Sequence, residues 1–76
     1  MSVILTPKTS KAKSRINDAG NPKHWIVIRT AETVAFSDRE GPWLYVRPDN
    51  NIHGKERWIN ENNDVDFIVQ SIARKP

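Results

Sequence analysis

From His24 onward, apolar residues come in short bursts separated by turn-forming ones. The first burst, HWIVIRT at 24–30, is rich in β-branched and aromatic side chains, and its nearly continuous apolar character predicts a strand covered on both faces. TVAF at 33–36 predicts a second strand, with Val34 and Phe36 on one face and Thr33 and Ala35 on the other. SDREGP reads as a loop, and WLYVR at 43–47 as the third strand. In that strand Leu44 and Val46 point one way, Trp43, Tyr45 and Arg47 the other. Pro48 closes it, and PDNNIHG forms a loop in which Asn50, Asn51 and Gly54 tolerate left-handed backbone. ERWIN at 56–60, the polar turn ENND and VDFIVQSI at 65–72 complete the pattern.

Turn signals at this spacing predict a mainly β fold: a small antiparallel meander or SH3-like barrel of about five short strands. The strand–helix alternation of a parallel sheet is absent. The pattern divides the chain into a basic N-terminal segment, residues 1–20, and a small β domain, residues 21–76.

The first segment contains TPKTSKAKSRINDAG, which reads either as a short basic helix or as an arm. For a helix, Thr6 serves as N-cap, Pro7 suits the first position and Gly20 is the stop. Ala12, Ile16 and Ala19 would form an apolar stripe, while Lys8, Lys11 and Arg15 share another face. Lys8 and Asp18, however, each oppose the helix dipole, and Thr9, Ser10 and Ser14 are mediocre helix formers. A helix of about a dozen residues is marginal alone. It forms only if Ile16 docks on the sheet.

At 76 residues the chain makes one small domain. A domain of this size buries only about 60% of its unfolded surface. Cysteine is absent, which removes disulfides, thiolate zinc sites and thiol nucleophiles together. No apolar run approaches the roughly 20 residues of a membrane span, and MSVILTPK lacks the charged lead and long apolar stretch of a signal peptide. These features lead us to expect a cytoplasmic protein.

The net charge of +3 is uneven. Residues 1–15 carry Lys8, Lys11, Lys13 and Arg15 without an acid, giving +4. Residues 16–73 set six Lys or Arg against nine Asp or Glu, giving −3, and Arg74 and Lys75 add +2. A polyanion would therefore meet its attraction at the ends of the chain.

The basic segment is the main candidate site. On a helix its cations would neutralise successive phosphates, and on an arm they would track a groove. Its Ser and Thr hydroxyls would add phosphate hydrogen bonds. The plainer alternative is a solvated terminus whose lysines keep the protein soluble. A second candidate is a ring surface, because Trp43 and Tyr45 share a face with Arg47 and Trp58 lies on a neighbouring strand. Most rings are needed inside, Trp25, Phe36, Trp58 and Phe67 among them. Trp43, beside Gly41 and Pro42, is the ring expected at the surface. The nucleic-acid-binding set is thus Lys8, Lys11, Lys13, Arg15, Trp43, Arg47 and Arg57.

Other chemistry is weakly represented. His24 and His53 alone do not make a metal site. Asn60, Asn62, Asp64 and Asp66 alternate like calcium-loop ligands, but Val65 and Ser71 stand where glycine and a bidentate Glu are required. No metal or other cofactor is expected. No nucleophile elbow, phosphate loop or catalytic carboxylate pair appears, so the expected protein is not an enzyme.

LTPKTSKAKSRI followed by HWIVIR, FSDREGPWLYV and RWINENNDVDF resembles small uncharacterised accessory proteins of tailed bacteriophages. The resemblance covers nearly the whole chain as a loose pattern and implies a protein made in the host bacterial cytoplasm. It also implies interaction with a host complex or nucleic acid, without assigning site residues. Three readings follow: a nucleic-acid-binding module, a protein-binding adaptor or inhibitor of a host complex, and an obligate homo-oligomer that shares a sheet edge.

Overall fold

The computed structural model describes residues 2–50 and 55–71. His53, Arg74, Lys75, Asn51, Gly54 and the end of the last predicted strand at Ile72 lie outside the described residues. The elements are β1 (Ser2–Pro7), α1 (Ser10–Asp18), β2 (Trp25–Ala31), β3 (Trp43–Pro48), β4 (Arg57–Asn60) and β5 (Phe67–Ser71). The strands form one antiparallel sheet in the order β4-β3-β2-β1-β5. β1 to β4 make a meander, and β5 returns to the far side of β1, curling the sheet into a half-barrel. Among the described residues, the outer edges of β4 and β5 are unpaired and leave a seam between them.

Two elements differ from the sequence pattern. TVAF is not a strand: the chain leaves the sheet after Ala31, and only an isolated Val34–Ser37 bridge closes a tight turn there. The missing strand is β1, within the segment read as an arm. Val3 and Leu5 are buried while Ser2, Ile4 and Thr6 alternate with them. Lying between β2 and β5, β1 is an inner strand and residues 2–7 belong to the sheet. Thr6 and Pro7 therefore end a strand and do not start the helix. Pro7, without an N–H, is tolerated at that terminal position.

The helix forms and docks. Its cap is Thr9, whose Oγ1 accepts the Ala12 N–H at 3.0 Å. At its end Gly20 adopts φ +89°. There the Gly20 N–H donates to the Asn17 carbonyl and the Asn21 N–H to the Ile16 carbonyl, both at 3.0 Å, a Schellman closure. Ala12 is fully buried, and Ile16 and Ala19 pack on the core formed by Val3, Leu5, Trp25, Leu44, Val46, Ile59 and Phe67. Burying one face against the sheet supplies what so short a helix lacks in isolation. No helix among the described residues is long and apolar enough to cross a membrane.

Burial reverses the expected roles of two rings. Trp43 is 5% exposed and Phe36 is 65% exposed. The turn at 34–37 folds Phe36 edge-on over the indole, with centroids 5.4 Å apart, and Trp43 Nε1 donates to the Arg39 carbonyl at 3.1 Å. Trp43 is thus sealed beneath a loop and unavailable for stacking. Trp25 and Phe67 are in the core as expected, and Trp58 is half-buried.

All nine acids of the sequence, Asp18, Glu32, Asp38, Glu40, Asp49, Glu56, Glu61, Asp64 and Asp66, lie outside the strands. The strands themselves carry Arg29, Arg47 and Arg57.

Candidate nucleic-acid interface

Helix α1 divides the basic residues. Ala12 and Ile16 face the core, so Lys11 and Arg15, each one residue earlier and one turn apart, share a flank. Lys13 is turned about 200° from Lys11 and points elsewhere. Both lysines are exposed and, among the described residues, have no ion-pair partner. Lys8 lies before the cap, where its Nζ donates to the Asp64 carbonyl at 2.8 Å and its N–H to the Asp66 carbonyl. The expected face of Lys8, Lys11 and Arg15 is therefore reduced to Lys11 and Arg15.

The third cation on that flank comes from β4. Arg57 Nη2 is 3.4 Å from Asp66 Oδ2, and Arg15 Nη1 is 3.9 Å from the same oxygen. Two guanidiniums share one carboxylate. Burial lowers the Arg57 pKa from its ordinary value and the charge of Arg15 lowers it further, against the opposing pull of Asp64 and Asp66. Arg57 also stacks on Phe67, 4.7 Å from the ring centroid, and its buried Nε has no partner among the described residues. Asp64, whose carboxylate accepts the N–H groups of Asn60, Asp66 and Phe67 at 2.9 to 3.1 Å, is a second negative charge acting on Arg57. The seam between α1, β4 and β5 thus sets Lys11, Arg15 and Arg57 against Asp64 and Asp66, with Glu61 accepting the Ser71 hydroxyl at 3.3 Å farther along it.

The turn between β4 and β5 holds this arrangement in place. Asn60, 1% exposed, accepts the Asn62 and Asn63 N–H groups at Oδ1 and donates from Nδ2 to the Glu40 carbonyl. The Asn and Asp run therefore builds a turn, as expected. Among the described residues no group of three or more His, Cys, Asp or Glu could hold a metal ion.

Arg47 lies on the opposite, outer face and bends back to the Pro48 carbonyl at 3.2 Å. Its neighbours there are Tyr45 and Trp58, cross-strand partners whose rings stand 4.9 Å apart at 35°. Arg29 completes the row, opposite Tyr45 on β2. The expected site residues thus separate into two surfaces joined at edge strand β4, where Arg57 points inward and Trp58 outward. A third feature, a cleft of about 420 Å³ lined by Thr30, Ala31, Glu32, Pro42, Leu44 and Glu61, carries two carboxylates and is unsuited to a polyanion.

The sequence pattern missed Asp66 as the hub and Arg29 as a surface residue. The alternation of β1 is readable in SVILT, but contacts between residues fifty positions apart leave no local signal. No family model, curated protein or solved structure matches the chain.

Proposed function

We propose that the protein is a non-enzymatic module that binds nucleic-acid backbone, with Lys11, Arg15 and Arg57 making the phosphate contacts and Lys13 lying to one side. The observation supporting this reading most is the docked helix, which holds Lys11 and Arg15 on the flank facing Arg57, with Asp66 as the carboxylate that Arg15 and Arg57 share. Ordered cations lose less side-chain freedom on binding than those of an arm. About three phosphate contacts correspond to log K falling by about 2.7 per decade of salt on duplex DNA. Fluorescence anisotropy with a labelled duplex at several salt concentrations tests this. A Lys11→Gln/Arg15→Gln variant should bind more weakly and lose about two from that slope; an unchanged slope would overturn the assignment.

A second reading, a phage-type adaptor or inhibitor of a host complex, is favoured by Ile68 and Ile28, which are 55% and 47% exposed, and by the outer strand edges. A single stoichiometric protein partner recovered after nuclease treatment would support it.

A further inference from the structure

We infer that the outer face of β2, β3 and β4 is a stacking shelf for single-stranded nucleic acid, formed by Tyr45 and Trp58 with the guanidiniums of Arg29 and Arg47 on two sides of Tyr45. The inference rests on the backbone-binding reading and adds to it a class of substrate: unpaired bases.

The first support is register. Arg29, Tyr45 and Trp58 are directly aligned across three strands, and Arg47 stands two residues along β3 from Tyr45 on the same face. Neighbouring rings flanked by guanidiniums offer flat surfaces to bases and positive charge to the phosphates between them. No strand residue on this face is acidic.

The second support is the bulge in β2. Val27 pairs with Val46, but the next pair is Arg29 with Tyr45, so Ile28 is an extra residue. Simple alternation from Trp25 and Val27, which both face the core, would send Arg29 inward as well. The bulge turns it out, into line with Tyr45. The cost is borne by Ile28, left 47% exposed. Bulges recur where a side chain has to be re-aimed for function.

The shelf also connects to the phosphate-binding seam. Arg57 and Trp58 are consecutive on an edge strand, so a strand of nucleic acid crossing β4 passes from one surface to the other.

The wild-type protein should bind oligodeoxythymidine and oligouridine more tightly than a duplex of equal length, with quenching of tryptophan emission. Trp25 and Trp43 are 3% and 5% exposed, which makes Trp58 the reporting indole. Trp58→Leu should weaken single-strand binding by about tenfold while Trp58→Phe retains most of it. The exposed Arg29→Gln should cost severalfold on single strands and nothing on duplex. Equal affinity for single and double strands without quenching, or Arg29→Gln and Trp58→Leu proteins that are folded and bind single strands as the wild type does, would overturn the shelf. If neither form of nucleic acid bound at low salt, the backbone reading itself would fall.

Discussion

The guanidinium of Arg57 stands 4.7 Å over the centroid of Phe67, linking the two edge strands across the open side of the sheet. This contact joins β4 and β5 where no backbone ladder does. Arg57→Gln should lower stability by about 1 kcal/mol, the size of a partly desolvated cation–π contact. It should also reduce affinity for duplex DNA. Denaturant unfolding and anisotropy measure the two effects on one variant.

Asp66 opposes the cluster it organises. Asp66→Asn removes the charge shared by Arg15 and Arg57 and should tighten nucleic-acid binding severalfold at low salt, with the gain shrinking as salt rises. A weaker binder with intact folding would show that Asp66 positions the arginines more than it neutralises them.

Asp64 has a structural role. Its carboxylate satisfies three backbone N–H groups in and beside the β4–β5 turn. Asp64→Ala should cost about 3 kcal/mol, since these donors lose a charged acceptor. Asn60→Ala should also destabilise, by releasing the Glu40 carbonyl together with the Asn62 and Asn63 N–H groups. Urea midpoints give both values.

Phe36 shields Trp43. Removing its ring with Phe36→Ala should expose the indole, shift tryptophan emission to the red and increase acrylamide quenching. The stability loss should be about 1 kcal/mol, the scale of an edge-to-face pair. An unchanged spectrum would mean that the rest of the 34–40 loop covers Trp43 unaided.

Gly20 closes the helix at φ +89°, and a Cβ there would meet only Asn50 Nδ2 at 3.7 Å. The cost of Gly20→Ala is therefore backbone strain, about 1 kcal/mol. Gly41 differs, because a Cβ would come within 2.7 Å of the Trp43 nitrogen and 2.8 Å of the Glu32 carbonyl oxygen. Gly41→Ala should be the more damaging of the two in thermal unfolding.

The legible parts of the fold were those carried by local pattern. Leu44 and Val46 alternate with Tyr45 and Arg47 as their strand requires, and Gly20 marks the helix end. The segment TVAF has strand-like composition, but in the structure it forms a loop that covers Trp43, a packing choice its own residues do not encode. Thr6-Pro7 imitates a helix start while ending a strand whose partner, β5, lies some sixty residues away. The candidate site was half legible for the same reason. Lys11 and Arg15 announce themselves by helical spacing and Arg57 is a candidate from the sequence, whereas its pairing through Asp66 and the outward turn of Arg29 depend on strand order and on one extra residue in β2.

The confinement of every acid to the helix end and the loops bears on the direction in which a bound strand of nucleic acid would run. Glu32, Glu40 and Glu61 rim one end of the sheet, and Asp49, Glu56 and Asp66 the other. A polyanion laid parallel to the strands would meet repulsion at both rims. One laid at right angles to them would pass over Arg29, Tyr45 and Trp58 to the β4 edge and Arg57 beyond it. For a nucleic-acid ligand, the charge pattern would thus act as a compass, favouring a path around the girth of the half-barrel over one along its length.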